Sequence, residues 1–257
     1  MGKFYQAIEK SRNQKDKKTP LDALKLSGSP STNLVVVKYP GSPAAEYFRF
    51  LRSQILYPAH REPPRTIMVT SAVSGDGKSF VATNLAACIA RGIKEHVLLL
   101  DCDLRDPGLY TVFGIDTKRE GLSSYLTNKS ELPDLLYKTD IPKLTILPGG
   151  NIIANPSELL SSEKMQHLIS EVRNRYPDRF VILDTTPLEL APETSVLANQ
   201  VDGVLMVVQY GKTPRKLVKS AIEKIGKEKL LGVVFNGYEK PMQEYTRYGY
   251  GYGKKKR

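Results

Sequence analysis

The chain has 257 residues, 40% of them apolar, with two cysteines and a formal net charge of +11. That is enough for one sizeable α/β core, but no run approaches the ~20 apolar residues of a membrane span, no signal-peptide core opens the chain, and two thiols make neither a disulfide framework nor a zinc site. Six Lys or Arg against two acids in residues 1–20, and four basic residues at Lys254–Arg257, leave only a mildly basic body; this favours solvated tails or contact with anionic lipid over a nucleic-acid surface, and a cytosolic protein.

From the amino terminus, Phe4, Tyr5 and Ile8 fall at helical spacing within Met1 to about Lys10, which fits a short amphipathic helix or a disordered leader. Gly2 is a poor myristoylation site because position 6 is Gln where Ser or Thr is wanted. A polar linker follows through Pro20, and residues 21–43 read as irregular with one short extended piece, Leu34 to Val37. Pro43-Ala-Ala-Glu46 then opens a helix running to about Tyr57.

The apolar run Thr66–Thr70 leads into Ala72-Val-Ser-Gly-Asp-Gly-Lys-Ser79, and a helix from Ser79 to Arg91 follows. Strand, glycine loop and helix in that order build an anion nest. The backbone N–H groups of Ser74, Gly75, Asp76, Gly77, Lys78, Ser79 and Phe80 surround a phosphate, Lys78 reaches the outer phosphates, and the Ser79 hydroxyl can ligate Mg²⁺. The pattern begins with Ala72 where Gly is usual, so the competing meaning is a glycine turn that merely caps a helix. Two later segments argue against that meaning. His96-Val-Leu-Leu-Leu-Asp-Cys-Asp103 and Arg179-Phe-Val-Ile-Leu-Asp184 are apolar runs ending in carboxylates, as buried parallel strands do. In a doubly wound sheet the carboxyl ends of strands line the ligand crevice, so Lys78, Ser79, Asp101, Asp103 and Asp184 converge on one Mg²⁺-nucleotide.

Leu104-Arg-Asp-Pro107 and a polar stretch lead to a strand and glycine turn at Lys143–Gly150. Asn155–Leu160 and Ser162–Arg175 read as capped helices, and Gly203–Val208 and Leu231–Asn236 as buried strands joined by a helix from Pro214 to Ile225. The expectation is an α/β fold, a doubly wound and mainly parallel sheet of six core strands. One folded domain, 43–237, then lies between a basic leader, 1–42, and a tail, 238–257. The tail holds Tyr238, Tyr245, Tyr248, Tyr250 and Tyr252, interleaved with glycine. No period buries these rings, which leaves an adhesive low-complexity tail or a phosphoacceptor segment whose several hydroxyls raise the effective acceptor concentration.

The loop Ser71–Ser79, the segments Val97–Pro107 and Phe180–Pro187, and the tyrosine tail together resemble the bacterial tyrosine kinases of capsule and exopolysaccharide export, over about Pro43 to Tyr252. The resemblance implies a P-loop fold of the MinD and ParA kind, ATP and Mg²⁺, and autophosphorylation of the tail. It assigns Lys78 and Ser79 to the phosphates and metal, and Asp101, Asp103 and Asp184 to the acidic motifs around the metal. Asp101 is then the acceptor of the tyrosine proton, Arg105 assists at the phosphates or forms a salt bridge, and Asn236 contacts adenine. Glu46, Arg49 and Arg52 match an E-x-x-R-x-x-R helix for subunit contacts, whose bland counterpart is a solvated face with one intrahelical pair. The third motif reads Asp184-Thr-Thr-Pro187 where Asp-Thr-Pro-Pro is usual, which leaves the aspartate in place. The implied partners are a separate transmembrane activator of polysaccharide polymerisation, further copies of the chain in a ring, and an anionic membrane at the periphery; nucleic acid is not among them. Two rivals differ in class. A positioning ATPase of the ParA and MinD kind carries a lysine five residues before the catalytic one, where this chain has Val73. A non-catalytic nucleotide-binding subunit of an export complex would keep the same loop. An iron–sulfur reductase would need bridging cysteines that Cys88 and Cys102 do not supply.

Overall fold

Runs of Val, Ile and Leu without polar alternation belong to strands covered on both faces. The computed structural model, which describes residues 33–114, 120–175 and 178–238, has such strands at its centre. They are β1 (Thr66–Ser71), β2 (His96–Asp101), β4 (Leu144–Leu147), β5 (Arg179–Asp184) and β6 (Gly203–Gln209). Every residue of β1 and β5 is buried. With β3 (Tyr137–Lys138) and β7 (Leu230–Asn236), the described residues form a seven-stranded sheet in the order β3-β4-β2-β5-β1-β6-β7. All pairs are parallel except β3 with β4. The six expected strands are therefore present. The seventh, two residues long, is too short to leave a periodicity in the sequence.

Helix α3 (Lys78–Ala90) explains why one face of the sheet is so well covered. Every residue from Val81 to Ala90 is buried, so the helix has no solvent face. Four alanines allow close approach to the sheet on one side and to α2 (Pro43–Leu56) on the other. The Phe48 ring meets Phe80 edge-on at 5.8 Å, and Arg52 Nη1 donates to the Cys88 carbonyl at 3.2 Å. Both cysteines are free and buried.

The piece expected to be extended, Leu34 to Val37, is instead the helical turn α1 (Val35–Lys38). Three consecutive valines favour a strand locally, but a tertiary anchor overrides that preference. The Asn84 side chain of α3 accepts from the Val36 N–H at 3.2 Å and donates to the Asn33 carbonyl at 2.6 Å, while Leu34 is fully buried.

The polar stretch expected after Pro107 also contains structure: α4 (Leu109–Phe113), α5 (Leu122–Leu126) and a 3₁₀ turn at Leu132–Leu135. Each is too short for a helical period, and each is held by isolated buried residues such as Phe113, Leu122 and Leu135. Helices α6 (Pro156–Leu160) and α7 (Glu163–Arg175) follow as expected. Asn155, however, makes no side-chain cap, whereas the Ser162 hydroxyl accepts from the Met165 N–H at 3.3 Å. Helix α8 (Pro192–Gln200), which the sequence reading did not assign, precedes β6, and α9 (Arg215–Ile225) connects β6 to β7.

If Leu34 is as integral to the core as its burial indicates, Leu34→Ala will lower the unfolding free energy by about 2–4 kcal/mol in urea denaturation. A change of only a few tenths would show that α1 is not part of the cooperative unit.

Candidate active site

The loop between β1 and α3 depends on two glycines in the left-handed region, Gly75 at φ 86° and Gly77 at φ 90°. Helix α3 starts at the next residue, so its first N–H groups lack intrahelical partners and face the loop. The loop is also fastened from outside. The N–H of Leu188 donates to the Ser71 carbonyl at 3.0 Å, and that of Glu189 to the Ala72 carbonyl at 3.3 Å. On the other flank, the Thr213 hydroxyl donates to Asp76 Oδ1 at 2.6 Å and Asn236 Nδ2 to the Asp76 carbonyl at 2.9 Å.

Three carboxylates meet this loop because β2, β5 and β1 are neighbours. The parallel register sets Asp101 opposite Asp184, and Asp184 opposite Val69. Asp101 accepts the N–H of Asp103 at 3.2 Å and of Leu109 at 3.1 Å. Asp103 pairs with Lys78, Oδ2 to Nζ, at 3.1 Å, and its Oδ1 accepts from the Thr186 hydroxyl at 3.2 Å. Asp184 is fully buried, and neither of its oxygens has a hydrogen-bond partner at normal geometry.

Burial and the neighbouring Asp184 raise the Asp101 carboxyl well above the usual range. Burial likewise raises Asp184 to about 7, although the Ser79 hydroxyl and the Lys78 ammonium beside it pull the other way. An unpartnered buried carboxylate is costly unless a cation satisfies it. The donor set fits a hard divalent cation, with Asp184 and Ser79 as natural ligands. No group of three or more His, Cys, Asp or Glu among the described residues could hold a metal ion, so water and phosphate oxygens would have to complete the shell.

Other residues expected at the site lie as follows. Arg105 turns to Glu193, with Nε and Nη2 at 3.1 and 3.0 Å from Oε1, and the Ser157 hydroxyl donates to Glu193 Oε2 at 2.8 Å. This is the salt-bridge alternative, fixed to a carboxylate that is only 1% exposed. Asn236 commits its amide to the loop carbonyl of Asp76. Glu46 and Arg49 pair within α2, Arg49 also donates to the Pro40 carbonyl, and Arg52 donates to the Cys88 carbonyl of α3. Tyr238 is exposed, its ring edge-on to Tyr210 at 4.7 Å. Tyr245, Tyr248, Tyr250 and Tyr252 lie outside the described residues, as does Met1–Lys10. The sequence reading missed Thr186, Glu193 and Thr213. Only Thr186, two residues past an acidic strand end, left a local signal; Thr213 is 137 residues from Asp76.

Residues 64–229 match the family model described as an AAA domain. Tyrosine-protein kinase YwqD of Bacillus subtilis (strain 168) is 36% identical over 225 residues, which cover 87% of this chain and 92% of that protein. The chain belongs to the bacterial tyrosine kinase family. Tyrosine-protein kinase wzc of Salmonella typhi is 31% identical across 85% of this chain but only 30% of its own length. The crystal structure of the chimerical protein CapA2B2 superposes with a TM-score of 0.74 at 36% identity, covering 81% of this chain and 91% of that one. The cell division ATPase MinD of Pyrococcus furiosus shares the fold, with a TM-score of 0.55 at 24% identity over 68% of this chain and 72% of its own. The expected P-loop fold of this bacterial kinase family is thus the one found.

A raised carboxyl stabilises the fold fully below its ordinary value, 3.8, and that contribution is lost as pH rises through about 7. In nucleotide-free protein with EDTA, stability will therefore fall between those pH values relative to Asp184→Asn. Near about pH 8 the variant will melt several degrees higher in calorimetry; equal melting curves would show that the carboxylate is already neutralised.

Proposed function

We propose that this chain is an ATP-dependent protein-tyrosine autokinase that phosphorylates its own tyrosine tail and regulates polymerisation and export of a capsule or exopolysaccharide. The observation that carries this reading is the convergence on one crevice of the phosphate loop, the Lys78–Asp103 pair and the unpartnered Asp184. Kinship with chains named tyrosine-protein kinases supports the choice of acceptor.

Phosphoryl transfer asks a protein for positioning and charge neutralisation more than for covalent chemistry. The loop amides from Ser74 to Phe80 and the helix terminus bind the β- and γ-phosphates, and Lys78 exchanges its bond to Asp103 for the γ-phosphate. Ser79, Asp184 and Asp103, with Asp101 behind them, would hold Mg²⁺, which supplies further charge neutralisation. A tyrosine oxygen attacks the γ-phosphorus, the phenolic proton passes to Asp101, and ADP leaves. A base with a raised pKa suits a phenol whose own pKa is near ~10. Asn236 at the end of β7 stays the candidate for the adenine end of the nucleotide, and Arg105 acts as a strut for the Asp103 loop.

The acceptors are Tyr238, Tyr245, Tyr248, Tyr250 and Tyr252, presented by a neighbouring copy in a ring whose contacts include Glu46, Arg49 and Arg52. No helix among the described residues is long and apolar enough to cross a membrane. In wzc the matched region is under a third of a longer chain, which supports a separate transmembrane activator as the partner here. The basic ends would contact that partner or the anionic inner face of the membrane. Val73, where positioning ATPases carry a lysine, argues against that rival.

Purified protein incubated with Mg²⁺-ATP, with and without the cytosolic segment of a candidate activator, will gain mass in steps of one phosphate. Lys78→Met, and a tail with all five tyrosines changed to Phe, will each abolish the steps in intact-mass spectrometry. ATP hydrolysis with no added phosphate under either condition would transfer the assignment to the positioning ATPases.

A further inference from the structure

Asp76 is the one residue between the two left-handed glycines of the phosphate loop, and it is 2% exposed. Glycine gives the loop its path but leaves the unbound backbone free to leave it, because glycine loses more conformational freedom on ordering than any other residue. A loop built this way holds its N–H groups on one anion only if something outside fixes it. The Leu188 and Glu189 N–H groups fix the start of the loop at Ser71 and Ala72, and between the two glycines Asp76 is where that fixing occurs.

Its carboxylate accepts the Thr213 hydroxyl at 2.6 Å, a charge-assisted bond, and its own carbonyl accepts from Asn236 Nδ2 at 2.9 Å. The Thr213 hydroxyl is itself oriented. It accepts the Gln209 N–H at 3.1 Å, while the Thr213 N–H donates to the Gln209 carbonyl at 3.2 Å. These bonds close a tight turn from the end of β6, through Gly211 at φ 72°, to Pro214 at the head of α9. One end of the clasp therefore rests on the rigid sheet. The second Asp76 oxygen is buried without a partner, so Thr213 supplies the only side-chain bond this carboxylate makes among the described residues.

We infer that Thr213 is a positioning residue of the phosphate loop: by clasping Asp76 it holds the loop amides in the phosphate-binding arrangement before nucleotide arrives. Such preorganisation lowers the ordering cost of binding and so acts on affinity. Thr213 need not touch the nucleotide. The inference rests on the ATP reading above and adds a residue to it.

The test uses the full-length chain, a fluorescent ATP analogue with Mg²⁺, and steady-state phosphotransfer. Thr213→Val should weaken binding on the order of tenfold and raise KM for ATP while kcat is nearly kept. Thr213→Ser, which retains the hydroxyl, should return affinity to within about threefold of the unmutated chain, and both should melt within a few degrees of it. Asp76→Ala combined with Thr213→Val should bind no more weakly than the weaker single variant, because both remove one bond. Full-strength binding by Thr213→Val, failure of Thr213→Ser to rescue, or a loss that only follows falling melting temperature would each overturn the clasp. Absence of binding by the unmutated chain would overturn the ATP reading and the clasp with it.

Discussion

Parallel pairing of β2 with β5 fixes Asp101 and Asp184 side by side at the buried carboxyl ends of two central strands, and this juxtaposition of like charges governs the rest of the site. Two adjacent buried carboxylates repel each other, and desolvation penalises each charge separately. The protein compensates only in part. Backbone N–H groups attend Asp101, Lys78 attends Asp103, and Asp184 keeps two unpartnered oxygens. Such an arrangement persists because the surrounding sheet is stable enough to tolerate it, and a ligand that brings positive charge completes it.

The frame around these carboxylates is closely packed where it carries the loop. Helix α3 carries the phosphate-loop lysine and serine at its first turn and is enclosed by the sheet on one side and α1 and α2 on the other. A helix with no solvent face cannot roll or slide without opening the core. The loop's amides therefore sit on a fixed support at one end and on the clasp from the β6 turn at the other. In the proposed reaction, groups held between these anchors would need little reorganisation, the condition under which preorganised electrostatics lowers a barrier.

Much of this was legible in the sequence because the strands that carry the site are buried on both faces and therefore read as unbroken apolar runs. Thr66–Thr70 leads directly into the glycine loop, and His96–Asp101 and Arg179–Asp184 each end at a candidate carboxylate, so element and candidate site were visible together. What stayed hidden depends on distant contacts. Val35–Val37 looks like a strand until the Asn84 side chain, 48 residues away, takes up the Val36 N–H. Glu193 has no mark as a partner of Arg105, 88 residues earlier. The α4 and α5 turns are too brief to leave a period. The E-x-x-R-x-x-R spacing was visible, but spacing alone did not show that Arg52 would bond inward to the Cys88 carbonyl.

A side chain at position 77 would bring its first carbon within 2.0 Å of Asn236 Nδ2, in addition to having to adopt a left-handed backbone. The two positions are thus locked against independent drift: shortening Asn236 clears one obstacle and leaves the other. The lock also fixes the spacing at the carboxyl end of β7. Because side chains alternate faces along a strand, loss or gain of one residue between Gly232 and Asn236 would turn Asn236 away from the loop and bring a neighbour such as Phe235 or Gly237 into its place. Strand β7 already absorbs one extra residue opposite Val204 and Leu205, so a change of length is taken up there, whereas Gly232 to Asn236, paired residue for residue with Leu205 to Gln209, has to keep its spacing to hold a loop 160 residues earlier.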